Sequence, residues 1–184
     1  MASPVPPRLL VVWDFDRSFL QEDCEWSTFD HFGLEPEARR LSQTEFQGRW
    51  PACTDFLFGK LAAGWEGQAP VSKAELCAAV ATLDGTQPIP AMRAAAEAVG
   101  AARAAGVAVE QRVLSDANTA LIDVVLEQQG LREVFTTVLS NPAWWEGERL
   151  RAEPYLAVGE AAKLPPATDP GGLREFTLAA IPTT

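Results

Sequence analysis

Residues 9–18 read Leu-Leu-Val-Val-Trp-Asp-Phe-Asp-Arg-Ser, and this stretch decides how the rest of the chain is interpreted. Its first five residues form a continuous apolar run, which is typical of a strand buried on both faces of a parallel sheet. The polar side chains Asp14, Asp16 and Ser18 follow directly. Because ligands of open α/β sheets bind beyond the carboxyl ends of the strands, the stretch predicts a functional site here.

The second half of the chain continues the pattern of strands and helices. An alanine-rich helix is predicted over residues 90–105, followed by a strand over 107–114. A second helix over 119–129 and a third strand over 134–139 come next. Strands that alternate with helices predict a parallel, doubly wound α/β sheet.

Two segments depart from this alternation. Residues 23–88 contain helix-compatible stretches broken by proline and glycine, which predicts a small helical insertion. The insertion divides an α/β core made of residues 1–22 and 89–155. From residue 141 onward proline and glycine interrupt most elements, so residues 156–184 are expected to form a divergent, loosely held tail.

Composition restricts the classes of partner. The chain has 184 residues, 47% of them hydrophobic, and a formal net charge of -10, which indicates a folded and acidic protein. Its Lys and Arg residues are scattered, which argues against a nucleic-acid partner. A small phosphorylated metabolite remains compatible, because a local cation and backbone N–H groups hold an anion at short range.

Cysteine usage and hydropathy indicate the compartment. The three cysteines, Cys24, Cys53 and Cys77, are far apart in the sequence. The chain has one histidine, His31, that could join them in binding a metal, so a zinc site is not expected. Three reduced thiols suit a reducing compartment. No window of about 18 apolar residues suggests a membrane span. The sequence therefore predicts a cytoplasmic protein without a membrane partner.

The polar residues that follow the first two strands have a coherent chemistry. One of the two carboxylates Asp14 and Asp16 can attack phosphorus, and the other can exchange a proton with the leaving group. Ser115 and Asp116 end the second strand at the same predicted edge. Two carboxylates beside a phosphate require a cation, which predicts Mg²⁺ bound by Asp14 and Asp16. Two acids at this spacing also occur at ordinary strand ends, so the spacing alone leaves that alternative open.

The order of these motifs resembles a known superfamily. Asp14-Phe-Asp-Arg-Ser18, followed about a hundred residues later by Val113-Leu-Ser-Asp116, resembles the signature of haloacid dehalogenase-type phosphatases. Leu114-Ser-Asp-Ala-Asn-Thr119 and Leu139-Ser-Asn-Pro142 are similar to the phosphoethanolamine/phosphocholine phosphatase branch. The similarity extends over residues 9–155.

The resemblance implies a haloacid dehalogenase-like Rossmannoid core, incomplete at its C-terminus, with a helical cap. It implies that Asp14 is the nucleophile and a Mg²⁺ ligand, and that Asp16 is the general acid/base, with its backbone carbonyl facing the metal. Ser115 would bind phosphate, and Asp116 would contact the far end of the substrate. Glu25 would recognise an amino-alcohol head group.

Alternatives remain for the head-group residues. Glu25 stands near Glu22 and Asp23, so an ordinary solvated acid is an equal alternative. The neighbouring Trp26 could stack on a cationic head group or belong to the core.

The sequence also departs from the family pattern. Relatives continue into a phosphate-binding lysine and a Gly-Asp-Gly-x-x-Asp loop, which the 184 residues do not contain. Lys163 lacks the expected surroundings, so the tail resembles an early termination, a splice product or an incorrect gene model. The predicted function is a Mg²⁺-dependent phosphomonoesterase for a phosphoethanolamine- or phosphocholine-like ester. The alternative is an inactive truncated form or a binding or regulatory protein with the same fold.

Overall fold

The computed structural model describes residues 9–155. In this part of the chain a parallel sheet has the strand order β1-β2-β3, and a separate antiparallel hairpin pairs β4 with β5. The elements are, in chain order, β1 (Leu9–Trp13), α1 (Cys24–His31), α2 (Glu35–Gln43), α3 (Trp50–Ala63), α4 (Lys73–Thr82), α5 (Pro90–Ala104), β2 (Val109–Asn118), α6 (Thr119–Gln128), β3 (Thr137–Asn141), β4 (Ala143–Glu146) and β5 (Arg149–Ala152). The predicted α/β class with a parallel sheet is confirmed.

The end of β2 differs from the prediction. The apolar pattern predicted a strand that ends at Leu114, but β2 runs to Asn118. Its pairing with β3 is regular up to Leu114↔Leu139 and resumes only at Asn118↔Asn141. The polar residues between these two pairs stay extended across this irregularity, which takes their side chains out of the regular pleat.

The two faces of the sheet are covered unequally. Val109, Gln111 and Val113 of β2 are buried, and α5 lies against this face. On the edge strand β1, Leu10 and Val12 are 41% and 45% exposed. The expectation that β1 is buried on both faces is therefore wrong for the described residues, because nothing among them pairs with its outer edge or covers that face.

A buried amide joins β1, β2 and α5 directly before the predicted site. The indole Nε1 of Trp13 donates to Gln111 Oε1 at 2.9 Å, and Gln111 Nε2 donates to the carbonyl oxygen of Ala96 at 2.9 Å. Both polar ends of the glutamine are thus satisfied in the interior. The contact fixes the register of Trp13, the last residue of β1.

The segment between β1 and α5 is helical, as predicted. Its first helix begins at the cap residue Asp23, and α4 begins at a capping box formed by Ser72 and Glu75. Large apolar side chains of this segment, among them Phe29 and Phe58, are buried together. None of the helices within residues 9–155 is long and apolar enough to cross a bilayer.

The cysteines agree with the prediction only in part. Cys24, Cys53 and Cys77 are all free thiols. The first two are buried and act as small apolar side chains of the interior, whereas Cys77 is only half-buried.

The hairpin of β4 and β5 was not predicted, because the density of proline and glycine after residue 141 suggested little order. It packs against α3 of the helical segment. Asp55 on α3 accepts hydrogen bonds from Arg149 Nη2 at 2.8 Å and Arg151 Nε at 2.8 Å. Gly59 makes room for this contact, since a Cβ there would lie 3.1 Å from the guanidinium carbon of Arg149.

Candidate active site

The carboxyl ends of β1 and β2 meet at one edge of the sheet. Trp13 pairs with Val113, so the residues that follow these two positions lie side by side. The structure thereby brings Asp14 and Asp16, which follow β1, close to Ser115 and Asp116 in the irregular end of β2.

Asp14 has the exposure and the support that a nucleophile needs. The residue is exposed. Its Oδ1 accepts from the backbone N–H of Phe15 at 3.0 Å, and its Oδ2 accepts from Ser18 Oγ at 2.6 Å. These two bonds orient the carboxylate without covering it. Ser18 is therefore a residue that positions Asp14.

Asp16 lies deeper in the structure. Its Oδ1 accepts from the backbone N–H of Cys24 at 3.0 Å. Burial raises the pKa of Asp16 to about 7, and the charges of Asp23 and, more weakly, Asp116 add to this effect. A carboxyl group that titrates near neutrality suits a general acid/base, because both protonation states are populated during turnover.

The raised pKa of Asp16 predicts how stability depends on pH in the absence of metal. Between its ordinary pKa of 3.8 and about 7, the folded state keeps a proton that the unfolded chain releases, so stability falls as pH rises through this window. Asp16→Asn removes this contribution, while its amide oxygen still accepts from Cys24. We expect the wild type to lose about 1–2 kcal/mol more than the variant between pH 5 and pH 8, after allowance for solvent screening.

Urea unfolding at both pH values in EDTA measures this difference. Asp30→Asn, which neutralises an exposed carboxylate, is the control and should match the wild type. An equal loss of stability in the wild type and in Asp16→Asn would contradict the assignment of the raised pKa to Asp16.

The motif Leu139-Ser-Asn-Pro142 holds the end of β2 in place. Asn141 Nδ2 donates to the carbonyl oxygen of Asp116, and Ser140 Oγ donates to that of Ala117. Ser115 Oγ accepts from the backbone N–H of Ala117 at 3.1 Å. The carboxylate of Asp116 is left exposed at the edge. The sequence had marked this motif only as a similarity, without a structural role.

Asp23 is a third acid at this edge, and its role is not evident from its position beside Glu25 in the sequence. Its Oδ1 accepts from the backbone N–H of Trp26 at 2.9 Å and caps α1. Burial raises its pKa, and the charge of Asp116 raises it further, while Arg17 lowers it. An Asp just before a helical stretch is a typical N-cap, and this signal could have identified it.

Glu25 is buried, with 2% of its surface exposed. Its Oε2 accepts from the indole Nε1 of Trp50 at 2.5 Å, and its Oε1 accepts from Asn118 Nδ2 at 2.6 Å. The alternative of a solvated acid is therefore wrong. The same contacts engage both oxygens within the protein, so the structure does not present Glu25 to a head group.

Trp26 is also engaged by its neighbours. Its ring stacks on Trp50 with centroids 4.8 Å apart, and the guanidinium of Arg39 lies 5.5 Å from its ring centroid. The cation that meets Trp26 is thus a side chain of the same chain. Trp26 packs against the core, as in the second of the two alternatives from the sequence.

The donor set at this edge fits Mg²⁺ in chemical type. Asp14 can offer a carboxylate oxygen and Asp16 a backbone carbonyl oxygen, and Mg²⁺ prefers oxygen ligands. Within residues 9–155 there is no group of three or more His, Cys, Asp or Glu side chains arranged to hold a metal ion. The described residues therefore offer at most two carboxylates from the β1 end to the proposed ion.

Comparison with known proteins identifies the family. The model of the family described as "Putative Phosphatase" matches residues 9–167. The chain belongs to this family. No curated protein matches the sequence.

Solved structures show the same fold. A haloacid dehalogenase (HAD) family hydrolase from Salmonella enterica serovar Typhi aligns with 80% of this chain and 45% of its own, at a TM-score of 0.56 and 15% identity. A phosphoserine phosphatase in a phospho-aspartyl intermediate analogue form aligns with 81% of this chain and 64% of its own, at a TM-score of 0.52 and 14% identity. A probable phosphoserine phosphatase from Vibrio cholerae aligns with 85% of this chain and 44% of its own, at a TM-score of 0.52 and 17% identity.

These similarities show that the chain shares the α/β fold of a HAD family hydrolase and of phosphoserine phosphatases. The chain spans between 44% and 64% of the length of the three structures. Its activity and substrate are therefore matters for proposal.

Proposed function

We propose that this member of the phosphatase family is a Mg²⁺-dependent phosphomonoesterase that works through an aspartyl-phosphate on Asp14. The observation that carries the proposal is the pair formed by an exposed, oriented Asp14 carboxylate and, two residues later, an Asp16 with a pKa of about 7. A nucleophile and a proton donor at this spacing are what the two-step hydrolysis of a phosphate ester requires.

The reaction divides into two steps. In the first, the Asp14 carboxylate forms a bond to phosphorus, the bond from phosphorus to the ester oxygen breaks, and protonated Asp16 gives its proton to the leaving alkoxide. In the second, Asp16 takes a proton from water, the resulting hydroxide attacks phosphorus, and the bond to Asp14 breaks to release phosphate. Mg²⁺, when bound, would offset the negative charge of the phosphoryl oxygens.

The residues at the end of β2 would bind the substrate. Ser115 would contact the phosphate group, and the exposed carboxylate of Asp116 would face the far end of the ester. A carboxylate suits an ammonium or trimethylammonium group, which supports phosphoethanolamine or phosphocholine as substrates. Phosphoserine is the competing substrate, because two of the similar structures carry the name phosphoserine phosphatase. It is also a small ester with an ammonium group.

Phosphate release tests the proposal. In a form of the chain extended through a phosphate-binding lysine and a Gly-Asp-Gly-x-x-Asp loop, we expect release from phosphoethanolamine and phosphocholine with Mg²⁺ and none above background in EDTA, with phosphoserine hydrolysed more slowly. Equal release with Mg²⁺ and with EDTA would exclude the mechanism.

A binding or regulatory protein is the second candidate, favoured by the small number of carboxylates offered to Mg²⁺. In that case, calorimetry would detect saturable binding of phosphoethanolamine, without turnover under either condition.

A further inference from the structure

We propose that Glu25 is a positioning residue of the proposed site, which fixes Asn118, and through it the stretch of Ser115 and Asp116, to the helical segment. The inference rests on the proposed function, which assigns substrate contacts to Ser115 and Asp116. It replaces the direct head-group contact that the resemblance implied for Glu25.

The first argument is burial. Glu25 is the only ionisable carboxyl group among the buried residues of the described chain. An ionised carboxylate in the interior is costly unless it is paired or fully hydrogen-bonded. The partners of Glu25 are an indole N–H and an amide N–H, and neither is a cation. Apolar side chains of similar size would stabilise the fold about as well as such a buried carboxyl group. We therefore attribute the role of Glu25 to the relative positions of the groups that it binds.

The second argument is that the polarity of the contact is fixed. Asn118 Oδ1 accepts from the backbone N–H of Leu121 at 3.0 Å and thereby caps α6. The amide of Asn118 therefore cannot turn over, and its NH₂ group must point toward Glu25. The indole of Trp50 is a donor only. Two donors thus address the two oxygens of one carboxyl group. Burial and the charges of Asp23 and Asp16 raise the pKa of Glu25 well above its usual value, and the two hydrogen bonds oppose this rise without reversing it.

The third argument is the position of the partners. Asn118 is the last residue of β2 and lies two residues after Asp116. Trp50 is the first residue of α3, and Glu25 itself belongs to the first turn of α1. One side chain therefore links two helices of the inserted segment to the strand end that carries the proposed phosphate and head-group contacts.

An exchange of the two partners tests the proposal. Glu25→Gln turns an NH₂ group toward one of the two donors, and Asn118→Asp sets two carboxylates against each other. The double variant Glu25→Gln/Asn118→Asp restores complementarity: the Gln amide donates to the Asp carboxylate and accepts from Trp50. The second oxygen of the introduced Asp still caps α6, because Asp is a good N-cap residue.

The readout is hydrogen exchange of residues 115–121 in the full chain, measured by mass spectrometry. We expect exchange in each single variant to rise by about tenfold or more, as for loss of a hydrogen bond to a charged group. The double variant should return to within about threefold of the wild type. The affinity for inorganic phosphate should follow the same pattern. Glu22→Gln, at an exposed position, is the matched control and should leave the exchange unchanged.

Two outcomes overturn the proposal. One is exchange in Glu25→Gln that equals the wild type, together with a raised KM for phosphoethanolamine but not for a neutral aryl phosphate; Glu25 would then be a head-group contact. The other is a double variant no better than the worse single variant. If Asn118→Asp does not fold, a folded double variant would show that Glu25→Gln compensates for Asn118→Asp, which supports the proposal in the same way. The exchange needs no turnover, so it stays informative if the proposed function fails.

Discussion

Asp14→Asn is expected to lower Mg²⁺-dependent phosphate release by roughly three orders of magnitude or more, the scale seen when a covalent nucleophile is lost. The amide has nearly the shape of the carboxylate, and its oxygen can still accept from Ser18 or from the backbone of Phe15. The fold should therefore persist while the attacking oxygen loses its charge. A chemical defect is thus separated from a structural one.

The rate is measured by phosphate release from phosphoethanolamine in the extended form described below, with unfolding curves for the wild type and the variant. Ser18→Ala is the matched control, because it removes a bond that orients Asp14 but leaves the nucleophile. It should reduce the rate far less. A variant Asp14→Asn that keeps most of the wild-type rate would refute the assignment of Asp14 as the nucleophile.

The second large effect concerns chain 1–184 as a catalyst. We expect half-saturation by Mg²⁺ in the millimolar range or weaker, roughly 4 kcal/mol of binding at best. The residues after β1 offer the carboxylate of Asp14 and a group from Asp16. Arg17, the cation directly after Asp16, is exposed, and its Nε lies 3.8 Å from the carboxylate of Glu22. Lys163 lies outside the described residues.

Electrostatic stabilisation of the transferring phosphoryl group is usually the largest catalytic contribution, and loss of one such group commonly costs about a hundredfold or more. Turnover by chain 1–184 is therefore expected near background. A version extended through a phosphate-binding lysine and a Gly-Asp-Gly-x-x-Asp loop should be at least about a hundredfold faster. Comparable rates for the two proteins would show that the residues of chain 1–184 suffice.

The sequence predicted the extent of β1 well and the surroundings of β1 poorly. The apolar run up to Trp13 and the polar residues after it are local signals, so the strand and its end were predicted correctly. Burial is different, because it depends on which elements lie beside the strand. Leu10 and Val12 have the composition of a buried strand but are exposed in the described structure.

The contacts of Glu25 could not be predicted from the sequence for a similar reason. Its spacing from Asp16 placed it in the helical segment, which is where it lies. Its two partners, Trp50 and Asn118, are 25 and 93 positions away. No local pattern relates residues so far apart, so an interior carboxyl group looked the same as a solvated one.

The hairpin after β3 was missed because proline and glycine are judged locally. Pro142 lies directly before β4, and Gly147 lies in the turn between β4 and β5, where it adopts the left-handed conformation with φ 62°. Neither residue interrupts a strand. The order of the hairpin comes from Asp55, 94 positions before Arg149, which anchors it on α3. A distant carboxylate thus outweighs the local tendency of the segment to remain irregular.

That anchor gives the helical segment a further attachment to the rest of the described chain. Besides the chain crossings after β1 and before α5, α3 is fastened through Asp55 to the hairpin that starts just beyond Asn141. A rigid swing of the segment about two hinges would carry the hairpin along and pull on Asn141, whose side chain holds the carbonyl of Asp116. Movement of α3 away from the sheet would therefore strain the contact that holds the end of β2 in place.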